Sequence, residues 1–193
     1  MADDEGSFGW CGPVPSHDGG TSEGDFIHKP PYAWTPNDAF AENVVYRARC
    51  YCGTVRFEFA AQPVTAKFCH CKVCQRLHGA PLAVLFHKTT VRMSSPTDTS
   101  LVFYSATKHA RVHDVPCKVS CGECGSHLFD EGRNMVLAFP SAFELPPGPL
   151  PEPLRSQMHI CYGSRTADVL DGLPKWSGLN GESKRLDDQG MPL

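Results

Sequence analysis

The feature that most constrains this chain is an ordered series of closely spaced cysteines. Cys50-Tyr51-Cys52 comes first, then Cys69-His70-Cys71 running into Cys71-Lys72-Val73-Cys74, then Cys121-Gly122-Glu123-Cys124-Gly125. Gaps of one or two residues are those with which a chain hands neighbouring sulfurs to one ion. Ten cysteines in an exported protein would read as disulfides, but MADDEGSFGW is acidic where a secretory leader needs positive charge followed by an apolar run. A soluble, intracellular protein is the expectation, cytoplasmic with the nucleus also open, and thiols kept reduced there point first to metal or catalysis.

A strand turns residues i and i+2 to one face, so Cys50 and Cys52 can offer two sulfurs together. The Cys121/Cys124 pair is spaced for a turn around an ion, and Gly125 can take the positive φ such a turn often needs. The two pairs make a closed tetrathiolate zinc site of Cys50, Cys52, Cys121 and Cys124. Cys69, Cys71 and Cys74 supply three thiolates and stop, leaving the fourth position that a catalytic zinc keeps for water or substrate. Three thiolates weaken the ion as a Lewis acid and favour an incoming sulfur. The expected cofactor is zinc, about two ions per chain, one structural and one catalytic. A disulfide framework, a single structural zinc, or a second site closed by His70, His78 or His127 remain open alternatives. Cys11, Cys117 and Cys161 lack partners by spacing and read as core or surface thiols.

The chain has 193 residues, 41% of them hydrophobic and 20% charged, which suits a folded domain and not a disordered one. Eighteen basic residues against 21 acidic ones, with no basic run longer than Lys184-Arg185, argue against nucleic acid and anionic lipid as partners. The longest apolar stretch, Pro81 to Phe86, falls far short of the ~18 residues a membrane span requires. Seventeen glycines and seventeen prolines favour many turns and short strands. Val55, Phe57 and Phe59 alternate with Thr54, Arg56 and Glu58, the period of a strand with one buried face. Similar runs lie at Pro81 to Phe86, Leu101 to Tyr104, Met135 to Phe139 and Met158 to Tyr162, and only Lys72 to Leu77 reads as helical. The expectation is an all-β domain of about seven to nine strands over residues 44–178. A Pro/Gly-rich arm (1–43) precedes it, and a polar tail (179–193) follows, frayed from Ser183 onward.

The segments CYCGTVRFEF, FCHCKVCQRLHGAP and CKVSCGECGSHLFDEGR, in that order, resemble the glutathione-dependent formaldehyde-activating enzyme family, which includes centromere protein V. The resemblance covers about residues 46–178. MVLAFP, MHICYGSR and DGLPKWSG look like the family's fungal branch. It implies a zinc-bound β-tent of twisted antiparallel sheets, related to the mammalian suppressor of a yeast secretion GTPase, with the arm outside it. It also implies structural ligands at Cys50, Cys52, Cys121 and Cys124 and catalytic ligands at Cys69, Cys71 and Cys74. The implied activity joins formaldehyde to glutathione, giving S-(hydroxymethyl)glutathione, a carbon–sulfur lyase reaction run in reverse. Its partners would be a small-molecule thiol and an aldehyde.

The addition needs a proton at the new alkoxide, and His78, one helical turn beyond Cys74, is the catalytic candidate. His87 and His159 are weaker candidates, and Arg76 or Arg165 could bind a substrate carboxylate. The alternatives are a lyase acting on a different pathway metabolite and a non-catalytic, zinc-stabilised binding module. A cleft opening onto the three-cysteine group favours an enzyme, whereas a buried, fully coordinated site favours a module.

Overall fold

In the computed structural model, residues 43–79, 82–94 and 101–193 are described; the arm expected at 1–43 lies almost wholly outside them. Short strands dominate, as the turn-rich composition demands: β1 (Tyr46–Arg49), β2 (Arg56–Phe59), β3 (Thr65–Cys69), β4 (Leu82–His87), β5 (Val91–Met93) and β6 (Leu101–Ser105). They continue with β7 (Cys117–Cys121), β8 (His127–Glu131), β9 (Met135–Ala138), β10 (His159–Ile160), β11 (Lys175–Trp176) and β12 (Arg185–Leu186). Among the described residues one α-helix, α1 (Lys72–His78), interrupts them. The described fold is therefore all-β with a single helical insertion. The twelve strands among the described residues exceed the expected number; β11 and β12, two residues each, are too short for periodicity to register, whereas β10 falls inside the run read at Met158 to Tyr162.

The strands form a three-stranded sheet, β1-β2-β5, and a nine-stranded sheet in the order β12-β11-β10-β3-β4-β9-β8-β7-β6. Pairing is antiparallel except where β10 lies parallel to β3 and to β11, a correction to purely antiparallel sheets. The chain between β9 and β10 is long enough for the crossover that parallel pairing requires.

The alternation read at residues 54–59 is realised: Val55, Phe57 and Phe59 are fully buried. Phe57 meets Phe129 edge-on with centroids 4.8 Å apart, and Phe59 meets Phe86 at 4.6 Å and Phe143 at 5.0 Å. The smaller sheet thus lays its apolar face on the larger one, each buried ring contributing about 1.5–3 kcal/mol. A second apolar cluster gathers Val73, Ala106 and the three cysteines 69, 71 and 74.

The carboxyl-terminal segment departs from a frayed tail. β12 pairs with β11, Leu186 is buried, and Asp188 Oδ1 lies 2.7 Å from the buried Lys175 ammonium. Its charged residues read as solvated, but one of them neutralises a lysine that the sheet has taken out of water.

Candidate metal centres and cleft

Cys50 and Cys52 lie not on a strand but in the turn joining β1 to β2, where Gly53 adopts φ 80° and its N–H bonds the Cys50 carbonyl at 3.1 Å. A turn achieves what the strand was expected to achieve, because positive φ at Gly53 folds the backbone around the sulfurs. The Val55 N–H donates to Cys50 Sγ at 3.3 Å. Cys121 ends β7, Cys124 lies in the following turn, and Gly125 has φ 71°. The two turns are tied by the Tyr51 N–H, which donates to Ser126 Oγ at 3.0 Å.

All four sulfurs lie within 4.8 Å of one another, with Cys50 Sγ 3.3 Å from Cys52 Sγ and Cys52 Sγ 3.8 Å from Cys121 Sγ. Burial pushes the Cys121 thiol up to about 12, while the Ser126 hydroxyl draws Cys124 down to about 5.

The second group is assembled by the start of α1. Cys69 ends β3, and Cys71 is the helix N-cap, its sulfur accepting the Cys74 N–H at 3.3 Å. Cys74 falls in the first helical turn. The helix stops where Gly79 takes φ 77° and returns its N–H to Cys74 and Gln75 carbonyls. The three sulfurs are buried, free of disulfide, and within 4.8 Å of one another. Contact with Cys71 pushes the Cys69 thiol up to about 12, contacts with Cys69 and then Cys71 push Cys74 upward, and contacts with Cys69 and Cys74 draw Cys71 down to about 3. Three thiols crowded in an apolar pocket without cross-linking suit a thiophilic cation in place of their protons. Both groups could hold a metal ion.

Of the three histidines that could close the second site, His70 is not grouped with the cysteines, and its Nε2 lies 2.9 Å from His159 Nδ1. His159 in turn lies 2.8 Å from Asp171. His127 holds Ser120 Oγ at 2.9 Å. His78 alone joins the cysteines: donor atoms of Cys74, His78 and Asp130 lie within 4.8 Å of one another. His78 Nε2 is 3.5 Å from Asp130 Oδ1, and the ring packs 4.7 Å from Phe139. Asp130 is ion-paired with Lys118. Burial opposes ionisation of this carboxyl, but Lys118 and His78 outweigh it and hold its pKa below the ordinary value.

Lys118 and Asp130 were not among the residues the sequence singled out. Their only signal was charge inside two largely apolar strand segments, Lys118 in CKVSC and Asp130 beside Glu131 in HLFDE, and the β7–β8 register sets Lys118 directly opposite Asp130.

His78 also lines a cleft of about 940 Å³, together with Arg49, Tyr51, His127, Phe139 and Glu144. The four-cysteine turn reaches the same cleft through Cys50, while the three-cysteine group meets it only through His78, since Cys69, Cys71 and Cys74 do not line it. Arg165, a carboxylate-binding candidate, is engaged with Asp168 at 2.7 Å and stacked on Tyr162. His87 and Arg76 do not line the cleft. Cys161 is disulfide-bonded and not the core or surface thiol expected of it. Cys117 is free and buried, as expected.

Residues 45–162 match the family model described as glutathione-dependent formaldehyde-activating enzyme. The chain belongs to this family. No curated protein matches it. A crystal structure of a Rhodobacter sphaeroides protein is similar at 17% identity over 52% of this chain and 91% of that one, with a TM-score of 0.41. The family match spans both cysteine groups, α1 and the strands carrying Lys118 and Asp130. Among the described residues, no helix is long and apolar enough to cross a membrane.

Proposed function

We propose that the chain is a zinc-dependent enzyme of carbon–sulfur lyase type that adds a thiol, glutathione or a compound like it, to formaldehyde or another small aldehyde. The observation that carries this reading is the placement of three buried, free thiols beside a histidine that lines a large cleft. Cys50, Cys52, Cys121 and Cys124 would hold a structural zinc that staples the β1–β2 turn to the β7–β8 turn. Cys69, Cys71 and Cys74 would hold the catalytic one. A zinc ion held by three thiolates supplies positive charge that stabilises an incoming thiol as its thiolate.

The chain's own residues supply the rest. In the addition a carbon–sulfur bond forms, the carbonyl π bond opens, and one proton passes from sulfur to oxygen. His78, at the junction of the cysteine group and the cleft, is the group we assign to move it. Arg49 and Tyr51 at the cleft's edge offer an anionic thiol a charge and an aromatic face. Holding both reactants in one concavity makes the encounter effectively intramolecular. His78, which lines the cleft and lies beside Cys74, supports an enzyme over a rigid binding module, and a reducing compartment such as the cytoplasm suits the free thiols of both groups.

The test is exchange NMR on the metal-loaded protein with glutathione and ¹³C-formaldehyde, followed by a panel of other aldehydes. Adduct formation faster than the uncatalysed background, lost on Cys74→Ser, is the expected result. Background rates with every aldehyde would overturn the reading.

A further inference from the structure

The geometry points to Asp130 as a positioning residue that, clamped by Lys118, selects the tautomer of His78. The inference rests on the proposed thiol–aldehyde addition for its purpose, though not for its geometry.

Lys118 and Asp130 face each other across β7 and β8, and each side chain is only 5% exposed. Burying two charges costs several kcal/mol per ion before pairing, and an apolar pair of similar size is often as stable or more so. Stability alone therefore does not explain an ion pair here. Its asymmetry offers an explanation. One carboxylate oxygen, Oδ2, takes the Lys118 ammonium. The other, Oδ1, is buried with no hydrogen bond of its own and faces His78 Nε2 at 3.5 Å.

His78 is equally suggestive. Its side chain is 4% exposed, and neither ring nitrogen has a hydrogen bond. A buried imidazole left in that state forfeits stability unless a partner arrives. A shift of a few tenths of an ångström brings Nε2–H onto Asp130 Oδ1, and catalytic contacts in ligand-free sites are commonly long until substrate seats.

The chemical consequence follows from the two nitrogens being distinct. A carboxylate that cannot be a donor fixes the proton on Nε2, leaving Nδ1 with a free lone pair. In that form His78 can take the proton released by the substrate thiol and return it to the oxygen of the adduct. One base thus serves both half-steps, and no further reactant is needed. Lys118 keeps Asp130 ionised and so unable to donate, which would reverse the tautomer.

The experiment is long-range ¹H–¹⁵N NMR of the histidine side chains in the metal-bearing protein, with His78→Gln used for assignment. The expected wild-type spectrum shows neutral His78 protonated on Nε2. Protonation mainly on Nδ1, or a shift of either nitrogen diagnostic of metal coordination, would overturn the inference. Asp130→Asn presents an amide that can donate, and is expected to move the proton to Nδ1. It should lower kcat by about 100-fold or more while KM changes about twofold or less. A folded Asp130→Asn protein with wild-type kcat would also overturn it. If that variant does not fold, the wild-type spectrum still decides. If the wild type shows the Nε2–H tautomer yet no thiol–aldehyde addition, the positioning role stands and the proposed reaction falls.

Discussion

Lys88 and Glu131 have no exposed side-chain surface and lie 2.7 Å apart, with His113 closing on the second carboxylate oxygen at 2.9 Å. Removing one member of such a pair strands the other charge in the core. Lys88→Met is expected to lower stability by about 3–5 kcal/mol, measured by urea denaturation; a loss below about 1 kcal/mol would mean that His113 alone can neutralise Glu131. At the cysteines the expected consequences diverge. Cys50→Ser should prevent folding, since Cys50 is buried in the β1–β2 turn of the small sheet, where its sulfur meets those of the β7–β8 turn of the large one. Cys74→Ser should leave a folded protein with less metal, read out by circular dichroism and elemental analysis. The cysteines were legible because ligand spacing is a local property. Lys118 and Asp130 were not, because their meeting depends on a strand register that no single segment encodes.

At the scale of elements, strands with period-two patterning announced themselves, and α1 was legible to within a residue at its end because Gly79 stops it. What periodicity missed were β11 and β12, the two-residue strands at one edge of the larger sheet. There, order comes from tertiary contacts: Leu186 packs inward, and Lys175 lies between Asp171 at 3.0 Å and Asp188 at 2.7 Å. Leu186→Ala is expected to cost about 2–4 kcal/mol in urea unfolding. The same edge carries a pH dependence. Burial works against ionisation of Asp171, but hydrogen bonds from His159, Leu173 and Lys175 win and hold it at about 2, below its ordinary 3.8. A carboxyl with a depressed folded-state pKa stabilises fully above its unfolded value and loses that contribution as pH falls through the folded one. The Asp171 share should therefore disappear between about pH 4 and pH 2, and Asp171→Asn should flatten that part of the urea-midpoint profile relative to wild type.

For the whole molecule, the small sheet and the large sheet meet over one aromatic core, and the four-cysteine group joins segments distant in sequence. The four-cysteine group binds the β1–β2 turn to the β7–β8 turn; the three-cysteine group sits where β3 passes into α1, against Lys118 and Asp130. The cleft that Cys50 and His78 both line is a product of packing and left no trace in the sequence beyond the residues that line it. The account's central claim is that these two groups differ: one closed by sulfur, the other open to a thiol. Cadmium-113 NMR of the cadmium-substituted protein tests it most directly. The account predicts one resonance with four-sulfur character that glutathione leaves in place, and a second with three-sulfur character that moves toward four-sulfur character when glutathione is added. Two four-sulfur resonances, or a second resonance that no thiol displaces, would contradict it.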